Sequence, residues 1–424
     1  MRLILQKILA TFAKKIIKKY QPKVVGITGS IGKTSAKEAT FAILNEKFKT
    51  RQNIKNYNNE LGVPLTIIGS KSGGKSVFGW LFVFIKAFKL LIIKSSNYPE
   101  VLVLEMGADK VGDIGYLVDI AKPDVSVVTK VSPTHIEFFG SLEGIAKEKR
   151  KIVTCLTDAD TAILNFDDKL VMAMQEKTKA KTVTFGHNEL ADVSAVEFQN
   201  ETQDSVVKGI NFKIQYKGST VPVFLPHVVG SHQTNSALIG AAVGLSLGMN
   251  LVDVSVGLKK YKSPKGRMNV IAGIKNSLIV DDTYNSSPEA ANKAVESVAK
   301  LDFENDTRKV AVLGDMLELG EISEKEHFNL GKKVGEDGFD LLVAVGQFRN
   351  EIIKGAQKAG LENCVEFEDS KIALNSITDL ITDNDLILIK GSQGSRMERI
   401  VKKLMAEPES AKELLIRQEK EWID

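Results

Sequence analysis

Cysteine is almost absent from this sequence. Only Cys155 and Cys364 occur among 424 residues, and they lie far apart and outside any C-x-x-C pair. A cysteine-based zinc site is therefore excluded, and the low cysteine count favours a reducing compartment. The sequence predicts a cytoplasmic location on this ground.

A strong charge of one sign is also absent. The 57 basic and 53 acidic residues leave a formal net charge of +4, and no basic stripe alternates with aromatic side chains. Nucleic acid is therefore not an expected partner. With 43% hydrophobic and 26% charged residues, a chain of this length predicts a globular protein of two domains with appendages.

Long hydrophobic runs without charge are missing as well. Residues 77–93 are very apolar, but the segment is short and contains Lys86 and Lys89, which favours a helix lying in an interface. Residues 2–20 predict a basic amphipathic helix, and the spread of lysines through it argues against a cleavable signal peptide. Two alternatives remain for these helices: they pack on each other or on a partner, or they lie on the inner face of the membrane.

A glycine-rich loop between a short apolar strand and a helix is the strongest motif. Gly29 and Gly32 allow backbone N–H groups to approach phosphate oxygens, and the helix N-terminus adds positive potential. Lys33 can bridge the outer phosphates and the Thr34 hydroxyl can bind Mg²⁺. The alternative is a tight turn with a solvated lysine. The predicted nucleotide-binding residues of this loop are Thr28, Gly29, Ser30, Gly32, Lys33, Thr34 and Ser35.

Two further strands end in polar residues. A buried parallel strand over residues 100–107 presents the carboxylate of Glu105 at its end, and a second strand over residues 125–129 is followed by His135. Ligands collect at the carboxyl ends of strands in open α/β sheets, so both side chains are expected near the phosphate loop.

The C-terminal part alternates strands and helices. Strands are predicted at residues 277–280, 309–313, 341–345 and 386–389, with helices near 288–300, 324–335, 348–359 and 370–380 and a helical tail from residue 407. Residues 180–225 predict short strands. The predicted fold is α/β, with an N-terminal helix over residues 1–22, a central P-loop NTPase-like domain of mostly parallel sheet over 23–263 that contains an apolar insertion at about 70–97, and a Rossmann-like doubly wound domain over 264–424.

The order of the motifs resembles a known family. These motifs include T-G-S-x-G-K-T-S, N-N-E-x-G-V-P-L-T, E-M-G-A, H-I-E-x-x-G-S, D-D-T-Y-N, L-G-D-M-L-E-L-G and K-G-S. Over about residues 23–403 the chain resembles the Mur ligases, and among them the MurF type. The resemblance implies a cytoplasmic ligase of peptidoglycan synthesis, and so of cell shape and division. ATP would phosphorylate the terminal carboxylate of UDP-N-acetylmuramoyl tripeptide, and D-alanyl-D-alanine would attack the acyl phosphate.

The resemblance also implies a role for each matching residue. Lys33, His135, Lys149 and Arg267 would be catalytic, with Arg267 at the γ-phosphate. Thr34, Glu105, His135 and a carbamylated Lys149 would hold Mg²⁺. Asn235 would bind the adenine and Asp282 the ribose. The substrates would meet Asn58, Asn59, Asp315, Lys390, Gly391 and Ser392.

Each role has a plainer alternative from the residues alone. Asn235 could begin a helix, Arg267 could be a surface charge and His135 a structural histidine. Asp281 and Asp282 could form a turn, and Lys149 could lie on a solvated helix face.

One departure from the family concerns the start of the chain. Only about twenty residues precede the phosphate loop, where the family has a uridine-nucleotide-binding domain. Either the UDP part is bound in another way, for example by the 70–97 insertion or another chain, or the substrate differs. Two further hypotheses are a Mur-like amide ligase with a different acceptor or amino substrate, and a membrane-peripheral ATP-binding scaffold.

Overall fold

The computed structural model describes residues 2–54, 57–133, 136–203, 206–301, 307–419 and 422. The chain is an α/β protein with large, mostly parallel sheets, which confirms the predicted fold class. The strands are β1 Lys23–Thr28, β2 Thr50–Gln52, β3 Val101–Glu105, β4 Val125–Val128, β5 Thr161–Asn165, β6 Lys181–Gly186, β7 Val193–Gln203, β8 Val206–Tyr216, β9 Ser219–Pro226, β10 Asn269–Ala272, β11 Leu278–Asp282, β12 Lys309–Gly314, β13 Leu341–Val345, β14 Cys364–Phe367 and β15 Leu386–Lys390.

Helices connect most of these strands. The α-helices are α1 Arg2–Tyr20, α2 Lys33–Leu44, α3 Gly62–Ile68, α4 Val77–Ile92, α5 Asp113–Ile120, α6 Ile136–Phe139, α7 Leu142–Thr154, α8 Lys169–Met172, α9 Thr234–Ser246, α10 Leu251–Leu258, α11 Pro288–Ala299, α12 Ser323–Glu336, α13 Arg349–Lys358, α14 Ser370–Ala373, α15 Ile377–Leu380, α16 Glu398–Leu404 and α17 Ala411–Leu414. The chain divides into two compact units. The first comprises Met1–Glu197, Phe212–Val223 and Thr234–Lys262, and the second comprises the remaining residues. The sequence-based boundaries at residues 22 and 263 stay predictions.

The first sheet has the strand order β2-β3-β1-β4-β5-β6-β7-β8-β9. Strands β1 to β6 pair in parallel, and the residues of β3 and β4 are all buried. The expectation of short strands over residues 180–225 was wrong, because β7 and β8 each run for eleven residues. The alternation of buried residues along β8 shifts at Gly209, where Gly209 and Ile210 are both buried. Gly209 has a φ of 153°, and a Cβ on it would lie 2.1 Å from the Leu225 carbonyl oxygen, so the position needs glycine.

Helix α1 packs against α3 and α4 through buried Leu9, Ala13 and Ile16. Lys19 Nζ donates hydrogen bonds to the carbonyls of Leu90 and Leu91, at 3.0 and 2.8 Å, and so caps the end of α4. The predicted packing of the two helices on each other is therefore observed. Of the helices in the described ranges, none combines the length and the apolar character that a membrane crossing requires.

The second sheet has the order β10-β11-β15-β12-β13-β14, with only the edge strand β10 antiparallel. Alternate strand residues enter two separate cores: Val280 and Ala311 pack with α11 to α13, whereas Ile279 and Val310 pack with α14 and α16. This arrangement is the predicted doubly wound sheet.

Two helix predictions in this unit were wrong. The helix expected over residues 370–380 is two short helices separated by a turn at residues 374–376. In the described part of the tail, the helical residues are a 3-10 turn over Pro408–Ser410 and α17, because Leu415 turns extended and buries its side chain and Arg417 adopts a left-handed conformation.

Candidate active site

The phosphate loop connects the end of β1 to the start of α2. Gly29 has a φ of 150°, and a Cβ on it would lie 1.9 Å from Thr129 Oγ1, so only glycine fits. Gly32 is the N-cap of α2 with a φ of 84°. The loop therefore has the two left-handed positions that the motif predicts, and α2 begins at Lys33.

Hydroxyl groups fix this loop on its neighbours. Ser30 Oγ donates to the Ser132 carbonyl at 2.9 Å, and Thr28 Oγ1 donates to the Met106 carbonyl at 2.9 Å. Ser35 is buried on the helix, whereas Thr34 is only half-buried. The hydroxyls of Thr28 and Ser30 thus fix the loop in place. The Thr34 hydroxyl lies in the first turn of α2, where it could bind a cation held by the phosphates of a nucleotide.

Two lysines converge on one carbonyl of the loop. Lys33 Nζ lies 2.8 Å and Lys149 Nζ 2.9 Å from the Gly29 oxygen. Lys149 is only 4% exposed, so the solvated alternative was wrong. Burial lowers the pKa of Lys149 well below its usual value, and the nearby charge of Lys33 lowers this pKa further.

Glu105 at the end of β3 has one carboxylate oxygen engaged and one open. Its Oε1 accepts a hydrogen bond from Asn58 Nδ2 at 2.9 Å. Its Oε2 is buried and has no hydrogen-bond partner in the part of the chain that the structure describes. Burying a carboxylate oxygen without a hydrogen-bond donor destabilises the fold unless a bound cation compensates for the lost hydration. Glu105 is therefore suited to be a Mg²⁺ ligand. Asn53, which the sequence analysis missed, accepts from the Glu105 N–H and holds the residue in place.

The other predicted residues of the first unit have different surroundings. Asn59 is exposed, and its Oδ1 accepts from the N–H groups of Leu61 and Gly62 at the start of α3. Asn235 lies in the first turn of α9, as its plainer alternative predicted, and its buried Oδ1 has no partner among the described residues. His135 lies outside the described residues.

In the second unit, the structure pairs Asp282 with Lys390. The two residues are register partners on β11 and β15, and Lys390 Nζ lies 2.6 Å from Asp282 Oδ2 in a buried ion pair. Ser392 Oγ accepts from the Leu317 N–H, and Asp315 accepts from the N–H groups of Gln347 and Phe348. These residues connect the loops at four strand ends.

Two further residues hold these loops: Gly391, which follows β15, and His327 on α12. A Cβ on Gly391 would lie 2.6 Å from Met397 Cγ, so the position needs glycine for packing. His327, another residue that the sequence analysis missed, accepts from the Met316 N–H at 2.8 Å and lies 2.7 Å from the Ser323 carbonyl. Burial lowers its pKa, which keeps the ring neutral and able to accept this bond.

Arg267 is not a plain surface charge. Its guanidinium carbon lies 4.1 Å from the centroid of the Tyr284 ring, and its Nε is buried without a partner in the described ranges. Stacking on an aromatic face orients a guanidinium while leaving N–H donors for an anion.

Asp281 and Asp282 are the last residues of β11, so the alternative that they form a turn was wrong. Asp281 Oδ1 accepts from the N–H and the hydroxyl of Thr283. Burial raises the pKa of this carboxyl to about 7, and the charges of Asp282 and Glu398 raise it as well. Between its usual pKa and about 7, the folded chain therefore holds a proton that the unfolded chain releases. Stability should fall as pH rises through this window.

This pH dependence can be tested with Asp281→Asn, which removes the titrating group. The stability of the wild type relative to the variant should fall from pH 5 to pH 7, by at most about 1.4 kcal/mol per pH unit. Thermal unfolding at several pH values measures the difference, with exposed Asp383→Asn as the matched control. Parallel pH profiles for the wild type and Asp281→Asn would contradict the assignment.

The fold and these contacts define a phosphate-loop α/β protein with a doubly wound C-terminal unit and lysine, carboxylate and arginine groups suited to phosphoryl transfer. The Mur ligase middle domain matches residues 87–244, and the Mur ligase, glutamate ligase domain matches residues 266–393. The chain belongs to the Mur ligase family, and within it to the MurF type.

Three relatives illustrate this similarity. The UDP-N-acetylmuramoyl-tripeptide--D-alanyl-D-alanine ligase of Bacillus subtilis is 30% identical over 406 residues, which cover 94% of this chain and 79% of that one. MurF from Acinetobacter baumannii is 28% identical with a TM-score of 0.77, covering 93% of this chain and 79% of that one. MurF ligase from Thermotoga maritima, solved in complex with ADP, is 28% identical with a TM-score of 0.75, covering 94% and 83%.

Proposed function

We propose that this chain is an ATP-dependent ligase of peptidoglycan precursor synthesis that joins D-alanyl-D-alanine to UDP-N-acetylmuramoyl tripeptide. The observation that carries the proposal is the convergence of Lys33 and Lys149 on the Gly29 carbonyl of the phosphate loop. It occurs in a chain that aligns with MurF ligases over more than nine-tenths of its length. The enzyme class is that of ligases forming a C–N bond.

The reaction needs activation of a carboxylate, because a carboxylate is a poor electrophile. Attack of its oxygen on the γ-phosphorus of ATP forms an acyl phosphate and releases ADP. The amine of D-alanyl-D-alanine then attacks the acyl carbon, the C–O bond to phosphate breaks, and the ammonium proton is lost to solvent. Such phosphoryl transfer depends on positioning and charge neutralisation, so the loop N–H groups, Lys33 and Arg267 are the residues we assign to it.

Besides ATP, the residues of the site are suited to bind Mg²⁺ as a cofactor. Thr34 and the open Oε2 of Glu105 would hold it, and bound Mg²⁺ would neutralise phosphate charge. We further propose that neutral Lys149 adds to CO₂, forming an N–C bond and losing a proton, so that a carbamate oxygen becomes available to a second Mg²⁺ with His135. Burial of Lys149 supports this step because it favours the neutral amine.

The remaining predicted residues are assigned to substrates. Asn235 would meet the adenine and Asp282 the ribose. Asn58 and Asn59 would lie at the muramoyl peptide, whereas Asp315, Lys390, Gly391 and Ser392 would shape the loops that receive the amino substrate. Hydrogen bonds support a role in holding these loops: Asn59, Asp315 and Ser392 accept from backbone N–H groups, and Lys390 pairs with Asp282. Asn58 donates to the Glu105 side chain.

Omission of single components tests this function. Phosphate release should require ATP, Mg²⁺, UDP-muramoyl tripeptide and D-alanyl-D-alanine together. Turnover with another amino substrate or acceptor, but none with this set, would favour the alternative Mur-like ligase. If no tested set supports turnover and Lys33→Ala keeps full cellular function, the ATP-binding scaffold would be favoured instead.

For the location, we propose a cytoplasmic enzyme that contacts the inner face of the membrane through the outer face of α4. This face comprises Val77, Phe78, Leu81, Phe82, Ile85, Phe88 and Ile92, all exposed. They recur at helical spacing, and Phe78 and Phe82 are 74% and 71% exposed. Lys86 is not assigned to lipid binding, because its ammonium donates a hydrogen bond to the Gly69 carbonyl at the end of α3.

The basic residues around the outer face of α4 favour its binding to an anionic lipid surface. Residues 2–20 and 61–99 carry six and five basic residues and no acidic one. Lys89 on α4 and Lys75 and Lys94 at its two ends are exposed. Lysines around an apolar helix face attract anionic headgroups, whereas a second copy docked through the same face would bring like charges together.

A vesicle experiment tests the membrane contact. The wild type should sediment with vesicles containing an anionic phospholipid and come off at high salt, because screening weakens the attraction. Replacing Phe82 and Phe88 by Glu should lower this binding by at least about 100-fold, since each buried Phe contributes about 1.5–3 kcal/mol and two together about 3–6 kcal/mol. Leu190→Glu, at an exposed apolar position elsewhere, should bind like the wild type.

Three outcomes would contradict the membrane contact. These are equal recovery with neutral and anionic vesicles, no recovery with either, and a dimer in solution that the same two Phe substitutions dissociate. The last outcome would assign the face to a second copy of the chain.

A further inference from the structure

The C-terminal segment carries a buried arginine that the proposed reaction does not use. Arg417 Nη2 donates to the Tyr284 carbonyl at 2.7 Å, and Nη1 donates to the Thr283 carbonyl at 3.1 Å. Nη1 also lies 3.2 Å from Glu398 Oε2, and both side chains are less than a tenth exposed. A charged donor on two adjacent carbonyls, itself held by a buried carboxylate, fixes the backbone of residues 283–284.

Tyr284 connects this contact to Arg267. Its N–H donates to the Gly266 carbonyl at 3.1 Å, and its ring lies under the Arg267 guanidinium with 4.1 Å between the guanidinium carbon and the ring centroid. The backbone and the ring of Tyr284 therefore both act on the Gly266-Arg267 pair. A shift of the Tyr284 backbone would move the surface on which the guanidinium is stacked.

The same segment also contacts the turn before Arg267. Gly266 has a φ of 68°, and a Cβ on it would lie 3.3 Å from Ile416 Cδ1 and 2.9 Å from the Tyr284 nitrogen. Lys265 Nζ donates to the Lys412 carbonyl at 2.8 Å. Residues 412–417 thus contact both the turn that carries Arg267 and the loop that carries its stacking partner.

We propose that Arg417 is a positioning residue for Arg267, acting through Tyr284. The proposal rests on the proposed function, in which Arg267 binds the γ-phosphate of ATP. A guanidinium held in the right orientation before reaction stabilises developing charge without a reorganisation cost, and small displacements of such groups are costly to the rate. Loss of Arg417 should therefore lower kcat more than it changes KM for ATP.

Three single variants separate positioning from folding. Arg417→Ala should lower kcat by about 10- to 100-fold with KM for ATP changed less than about threefold, and Arg417→Lys should retain an intermediate kcat. Arg396→Ala is the matched control, because Arg396 also contacts Glu398 and the tail residue Trp422 but its hydrogen bonds do not reach residues 283–284. It should keep a kcat close to that of the wild type, and melting temperatures identify any variant that is unfolded.

A double-mutant cycle gives the decisive result. In an Arg267→Ala background, Arg417→Ala should change kcat by less than about twofold, because the residue it positions is gone. Equal losses in both backgrounds would mean a merely structural role and would overturn the proposal. A wild-type kcat for Arg417→Ala would overturn it as well.

Amide hydrogen exchange provides a readout that needs no turnover. Arg417→Ala should exchange faster at residues 283–285 than the wild type or Arg396→Ala, in the absence of substrates. If the wild type proves inactive with the complete substrate set, the proposed function fails; if the wild type is active but exchange at these residues is unchanged by Arg417→Ala, only the positioning proposal fails.

Discussion

Lys33→Ala is expected to lower ATP-dependent phosphate release by on the order of 10²–10³-fold, the usual cost of removing one group that stabilises transition-state charge. Lys33 is the first residue of α2, and its ammonium lies within hydrogen-bond distance of the Gly29 and Ser30 carbonyls. No other side chain of the loop can neutralise the γ-phosphate side. Steady-state phosphate release measures the effect.

The matched control for this variant is Lys47→Ala. Lys47 is exposed just beyond the end of α2 and bonds only weakly, at 3.3 Å, to the Gly248 carbonyl. The control should have wild-type turnover. If Lys33→Ala had the same turnover as Lys47→Ala, the loop would not act on ATP in the way we propose.

Lys149→Ala is expected to lose turnover to a similar extent, on the order of 10²–10³-fold, and to recover part of it when a short-chain carboxylate is added. The expectation follows from the proposed carbamate, whose oxygens a free carboxylate could replace in the cavity that the substitution opens. Lys149 is 4% exposed beside the loop, so the vacated space is adjacent to the phosphates.

The control for this variant lies two residues earlier on the same helix. Lys147 is exposed on α7, and Lys147→Ala should behave like the wild type. Rescue is diagnostic, because a variant that had only lost stability would gain nothing from added carboxylate. A Lys149→Ala enzyme as active as the wild type would contradict the assignment.

The phosphate loop was predictable because its determinants are local. Gly29, Gly32, Lys33 and Thr34 lie within six consecutive residues, and their spacing predicts left-handed backbone before a helix. Glu105 was predictable for a related reason, since the buried strand that ends at it is a continuous apolar run.

Burial of single charged residues could not be predicted in the same way. Lys149 belongs to the run K-E-K-R-K, which locally indicates a solvated helix face, yet the rotation of α7 turns Ile145, Glu148 and Lys149 inward. Glu148 is satisfied there by the N–H groups of Gly112 and Ile114 at the start of α5. The packing of α7 on its neighbours determines which of its charged residues are buried, and the local sequence does not.

Contacts between segments that are far apart in the sequence could not be predicted from it either. Asp282 and Lys390 are 108 residues apart, and they meet because β11 and β15 are neighbours in the sheet. Arg417 lies in a charged tail whose sequence predicted a helix, and its contacts with Thr283 and Tyr284 depend on a left-handed residue that no motif marks.

The central claim is that this chain makes an amide through an acyl phosphate, and oxygen transfer tests it most directly. The tripeptide substrate would be labelled with ¹⁸O in its terminal carboxylate and incubated with ATP, Mg²⁺ and D-alanyl-D-alanine. Because the carboxylate oxygen that attacks the γ-phosphorus leaves with phosphate, mass spectrometry should find one ¹⁸O in each phosphate released and one retained in the UDP-muramoyl pentapeptide. Unlabelled phosphate, or ADP formed without the pentapeptide, would contradict the account.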